Sequence, residues 1–122
     1  MIAQYTAAAL VNRCKNLCLP ASMDSIVSSN GQEDHVSMGA NAGVETLQIL
    51  EFVEDVLAIE MICASQALFL REMTLPSSSQ AVQGLSSSCQ TFLKNFRLQV
   101  HPNLEERILS TEIQQSRHAL FG

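Results

Sequence analysis

The sequence predicts an all-α chain built around one long helix. Three observations carry the prediction. An apolar pattern with 3- and 4-residue steps runs through the middle of the chain, no stretch alternates with a period of two, and prolines at 20, 76 and 102 separate helix-compatible segments. Composition agrees: 47% of residues are hydrophobic and 16% charged, far from the disordered regime. With one Tyr, five Phe and no Trp, the apolar content is aliphatic side chains, Ala and Met, which suit helix packing better than strands. At 122 residues the chain has the size of one ordinary domain.

Residues 2 to 15, IAQYTAAALVNRCK, form the first helix-compatible run, broken before Pro20. The run begins at full helical strength with no N-cap, as if the chain were cut inside an element. Residues 1 to 10 lack the basic start and cleavage pattern of a signal peptide. Residues 20 to 31, PASMDSIVSSNG, are small and polar and read as a loop.

The long helix is expected from about Asp34 to Met73, with Leu47, Leu50, Val53, Leu57, Met61, Ala64 and Leu68 along one stripe. Ile49, Val56, Ile59 and Ile62 widen that stripe until the second half is apolar nearly all round, a pattern that calls for full burial. The most apolar window, residues 56 to 70, is interrupted by Glu60 and falls short of the ~20 residues of a membrane span. It reads as a buried helix of a soluble, cytoplasmic protein, not as a membrane anchor. Pro76 ends the element, because its ring excludes a preceding helical turn. Ser77-x-x-Gln80 matches a capping box and starts the next helix, to about Arg97. After Pro102, Asn103 and Glu106 form a weaker box that opens the last helix, LEERILSTEIQQSRHALF. Gly122 closes it, with Arg117 and His118 in the last turn, where the helix dipole favours them.

Even from Val44 to Met73 the central helix would extend ~45 Å, against a diameter of roughly 35 Å for a compact chain of this size. A helix that long and apolar is expected to pair with copies of itself, or to belong to something larger.

The net charge of −5 argues against nucleic acid as a partner, since phosphate binding needs clustered Lys and Arg. The charge is unevenly spread. No Lys or Arg falls between Lys15 and Arg71, an interval that holds eight acids: Asp24, Glu33, Asp34, Glu45, Glu51, Glu54, Asp55 and Glu60. Carboxylates in apolar surroundings are costly unless paired, so their expected partners are the bases of the C-terminal half or of another chain. The four cysteines, Cys14, Cys18, Cys63 and Cys89, include no Cys-x-x-Cys. Cys14 and Cys18 stack one turn apart on a helix, but zinc needs two further ligands, and His35, the nearest histidine, has no partner at ligand spacing. No metal centre is predicted. The cysteines read as small buried thiols in a reducing compartment.

The densest polar cluster is residues 30 to 39, NGQEDHVSMG. Locally, Asn30-x-x-Glu33 has capping-box spacing, which puts Glu33 and Asp34 in the first turn of the long helix. His35 reads as a polar residue of the helix start, and no serine has a paired His and acid at triad spacing. The alternative is that a carboxylate here does chemistry.

The ordered series IAQYTAAALV, PASMDSI, NGQEDHVSMG and LEFVEDVLAIEMICASQALFLR closely resembles the C-terminal portion of the histidine ammonia-lyases, a branch of the aromatic amino acid ammonia-lyase family. The resemblance is dense from Ile2 to Arg71 and thins after Met73, although NLEERILSTEI still looks like a degraded closing segment. It divides the chain into residues 1 to 73, a helix, an active-site loop and a long core helix, and residues 74 to 122, a C-terminal helical segment. It implies an all-helical homotetramer with a long-helix central bundle, active sites assembled from three subunits, and elimination of ammonia from L-histidine to give urocanate.

By that resemblance Glu33 is the catalytic and substrate-binding carboxylate, with Gln32 a further binding candidate, while Asn30, Gly31 and Asp34 shape the turn. The phenylalanine branch tends to carry an amide at the matching place, so an acid at 33 favours histidine. The family's electrophile is a 4-methylidene-imidazol-5-one group formed from an internal Ala-Ser-Gly. Here Ala-Ser occurs at 21–22 and 64–65, and neither is followed by Gly. Tyr5 reads as a packing residue. The expectation is therefore a lyase fragment that is inactive alone, binds L-histidine only within a complete site, and associates with itself or with intact lyase subunits. The alternatives are a non-enzymatic helical oligomerisation module and a fragment of a phenylalanine-type lyase or aminomutase.

Overall fold

A computed structural model describes residues 1–23, 25–74, 82 and 84–122. Among them the elements are four helices: α1 (Ile2–Leu17), α2 (Gly39–Thr74), α3 (Ser87–Gln99) and α4 (Leu109–Phe121). Two single 3-10 turns lie between α1 and α2, and the described residues hold no strand beyond one isolated bridge. The all-α prediction holds. The chain divides into two compact units, Met1–Val53 and Glu54–Gly122, and the division falls within α2.

α2 is 36 residues long, ~54 Å at 1.5 Å per residue. It starts at Gly39, not at Asp34, because the backbone before it is committed to a different structure. The expected stop at Pro76 and the Ser77–Gln80 capping box lie outside the described residues. α3 is capped by Ser86, whose side chain accepts from the Cys89 N–H. α4 also starts later than predicted, at Leu109. Asn103 uses its side-chain oxygen on the Glu105 N–H, a local turn and not a helix cap. Gly122 closes α4 as expected, in the left-handed region at φ 87, with its N–H on the His118 carbonyl at 3.0 Å.

The core of Glu54–Gly122 is small. Ile62, Phe96 and Val100 form its centre, with Met61, Ile113 and Ala119 packed against them, and Ala58, Ile59 and Leu93 are also buried. Polar bonds join the three helices around it. Arg97 of α3 reaches both Glu72 oxygens at 3.1 and 3.2 Å and the Ser65 carbonyl at 3.1 Å. Ser116 of α4, fully buried, donates to the Ala58 carbonyl at 3.0 Å. Arg117 pairs with Glu54 at 2.8 Å and Asp55 at 3.6 Å, so two of the central acids do find a partner in the basic C-terminal segment.

The non-helical strap before α4 is held by Gln66. Its amide donates to the Asn103 carbonyl at 2.9 Å and accepts from the Asn103 N–H at 3.2 Å. Arg107 completes the strap, bonding the His101 carbonyl at 2.7 Å, Gln66 at 3.1 Å and Glu112 at 2.9 Å.

Two expectations about burial fail. The second half of α2 is not enclosed all round: Ala58, Ile59, Ile62 and Ser65 are buried, while Leu57 and Leu70 are 41% and 44% exposed. Two 13-residue helices cover one side of it and no more. The cysteines are not buried thiols either: Cys14 is half-buried, and Cys18, Cys63 and Cys89 are exposed.

Candidate functional site

Glu33 lies on a tight reversal, not in a helix. Ser28 and Glu33 exchange main-chain hydrogen bonds, Ser28 N–H to Glu33 O at 2.9 Å and Glu33 N–H to Ser28 O at 3.3 Å. Three residues further out on both sides, Ser25 opposes Val36 in the same register. Its Oγ accepts from the Val36 N–H at 2.7 Å and donates to the Val36 carbonyl at 3.1 Å.

The reversal is made by three consecutive residues in the left-handed region: Ser29 at φ 51, Asn30 at φ 57 and Gly31 at φ 86. Gly31 suits its position for conformation alone, since a Cβ there would meet nothing within 4 Å. Asn tolerates this region; Ser does so less readily, at a cost of roughly 1–2 kcal/mol. The turn is closed by Gly31 N–H to Ser28 O at 3.1 Å and Gln32 N–H to Ser29 O at 3.2 Å. Asn30-Gly31 thus acts as a hairpin signal, and that choice displaces the capping-box reading of Asn30 and Glu33.

The Glu33 carboxylate is exposed at this reversal. Ser28 Oγ donates to its Oε2 at 3.0 Å and Ser29 Oγ to the same atom at 3.2 Å. Gln32, Asp34 and His35 are exposed beside it, and among the described residues no side-chain hydrogen bond joins them to Glu33. The histidine and acids that are adjacent in sequence are therefore not a bonded cluster. The serines that touch Glu33 were missed by sequence reasoning, because Ser28 and Ser29 sit in a polar stretch where nothing in their spacing marks them.

Ser65 of the second Ala-Ser pair lies buried within α2, with its Oγ 3.4 Å from Arg97 Nε, and is followed by Gln66. The first pair is followed by Met23. Neither fits an Ala-Ser-Gly precursor.

Comparison with known proteins places these features in context. A family model described as aromatic amino acid lyase matches residues 1–97. The histidine ammonia-lyase of Bacillus cytotoxicus is 46% identical over 120 residues, covering 98% of this chain, and that of Bacillus mycoides is 45% identical over the same length. The crystal structure of histidine ammonia-lyase from Trypanosoma cruzi superposes with a TM-score of 0.79 at 34% identity, again over 98% of this chain. The chain spans 22% of the length of each of these relatives. With a family model matched over residues 1–97 and relatives similar over 98% of its own length, the chain belongs to the aromatic amino acid lyase family.

Proposed function

We propose that this chain forms the C-terminal helical part of a histidine ammonia-lyase, and that Glu33 is the carboxylate it contributes to a site releasing ammonia from L-histidine to give urocanate. The observation that carries the reading is the Glu33 carboxylate, held by two hydroxyls on a reversal of three left-handed residues. Strained backbone of this kind clusters at functional sites. The similarity to enzymes named histidine ammonia-lyase supports the choice of substrate. In that role Glu33 accepts a hydrogen bond from the substrate's ammonium or imidazole N–H, or takes part in proton transfer, and Gln32 on the same turn is a secondary contact.

The 122 residues alone turn over no histidine in this reading, because one general acid–base group contributes ~10²–10⁴-fold and an enzyme needs ~10⁶-fold or more. In this reading the electrophile comes from other sequence. Urocanate absorbance growing in a purified sample of the chain supplied with L-histidine would overturn this. The role of Glu33 is tested by Glu33→Gln at the matching place in the Bacillus cytotoxicus enzyme. Unaffected histidine turnover there would remove both the role and the histidine assignment.

A second reading, a helical assembly module, is favoured by one observation. Val44, Leu47, Leu50 and Val53 follow one another along α2 at steps of three, each at least 43% exposed. Such a stripe suits pairing with copies of the chain or with intact lyase subunits. Light scattering decides it: a clean monomer with a cooperative melt is the outcome that rejects assembly.

A further inference from the structure

We infer that Ser28 and Ser29 are positioning residues for Glu33, holding its Oε2 so that Oε1 is the oxygen offered to an N–H group of the substrate. The inference rests on the reading that Glu33 faces substrate in a complete site.

A glutamate on an exposed loop has three freely turning side-chain torsions. Here two hydroxyls approach one oxygen from neighbouring backbone positions of different conformation. Ser28 is extended (φ −132, ψ −178) and Ser29 is left-handed (φ 51). Each hydroxyl carries a single proton, and both are directed to Oε2, at 3.0 and 3.2 Å. Fixing Oε2 from two directions fixes the plane of the carboxylate and therefore the place of Oε1.

The same arrangement sets the polarity of what residue 33 presents. Two donors on the inner side require an acceptor there. A carboxylate supplies one and still has an acceptor for the outer side, which matches an ammonium or an imidazole N–H. An amide at 33 would turn its carbonyl to the serines and its NH2 outward, presenting a donor where the carboxylate presents an acceptor. The serine pair thus converts the acid-or-amide choice at 33 into a choice of substrate polarity.

Ser29 separates this role from a structural one. Its φ of 51 suits glycine better than serine, so replacing it with glycine relieves the backbone while deleting the hydroxyl. A residue kept only for the turn would gain from that change.

The test places this whole chain in the Bacillus cytotoxicus enzyme, in place of the 22% it matches. Expected for Ser29→Gly is an unchanged or higher Tm with kcat for L-histidine lowered about 3- to 10-fold, and KM moved less. Ser28→Ala gives a similar loss, and Ser28→Thr, which keeps the hydroxyl at an extended position, restores kcat to within about twofold. In a Glu33→Ala background neither serine change has a further effect, since both act through Glu33. If Glu33→Ala lowers kcat while Ser28→Ala and Ser29→Gly leave it unchanged, the serine role is overturned and the Glu33 role stands. Unchanged kcat in Glu33→Ala overturns both.

A readout without turnover uses three-bond couplings of the Glu33 side chain, measured by NMR on the 122-residue chain. One rotamer is expected in the natural sequence and averaging in the doubly substituted S28A/S29G. Equal couplings in the two reject the inference.

Discussion

In Glu54–Gly122, six apolar side chains are buried, and Arg97, Arg107 and Arg117 tie the helices and the strap together. In Met1–Val53, α1 buries none of its residues, and the ordered feature is a reversal closed by hydroxyls and main-chain hydrogen bonds. The first unit is organised by exclusion of water, with polar ties at its edge. The second is organised by local geometry in the presence of water. A carboxylate on such a loop is set by its immediate neighbours, so substitutions around it can change its orientation without altering the stability of the core.

The strongest way to break this contrast is Phe96→Ala, which empties the centre of the small core. The expected loss is about 3–5 kcal/mol by denaturant unfolding. The amide signals of Ser28 and Glu33 should persist when the Glu54–Gly122 signals are lost. Simultaneous disappearance would mean that the two units are one cooperative structure.

Removing Arg97 comes next. Arg97→Ala strands Glu72 and the Ser65 carbonyl, and since both charged side chains are only about one-fifth exposed, a loss of about 1–3 kcal/mol is expected. A cycle with Glu72→Ala isolates the ion pair, and a coupling near zero would reduce Arg97 to its bonds with the Ser65 carbonyl and hydroxyl.

The smallest effects belong to α1. Tyr5, 68% exposed, and Val11, 43% exposed, should each tolerate Ala within about 0.5 kcal/mol in the chain alone. A larger loss would show that α1 packs on something in solution, and the contrast between the units would shrink.

The fold was legible where side-chain pattern decides it. The stripe through Leu47, Val53, Leu57 and Met61 marks α2, and Gly122 marks the end of α4. Glu54 and Asp55 pair with Arg117, as an acidic segment facing a basic one requires. Legibility failed where one local signal serves two structures. Asn30 and Glu33 have capping-box spacing, but Asn30-Gly31 also reverses a chain, and the reversal prevails because Ser25 and Ser28 close it in one register. Asn103 failed in the same way, since Arg107 holds the following segment out of the helix. Burial failed for a different reason: Leu57 and the cysteines have apolar character, but burial depends on how much other chain is available to cover them. At the candidate site Glu33 was visible by resemblance, while Ser28 and Ser29 were not, because their bonds depend on left-handed backbone that composition does not announce.

One consequence follows from the way Gln66 grips Asn103. A side-chain amide facing both the N–H and the carbonyl of another residue behaves as a borrowed peptide group, and it reads main chain without regard to the side chain attached. The His101 carbonyl, which accepts from the Arg107 guanidinium at 2.7 Å, is held through main chain in the same way. The strap is thus addressed through main chain at residues 101 and 103, so the side chains at those two positions can change while the path of the strap is kept.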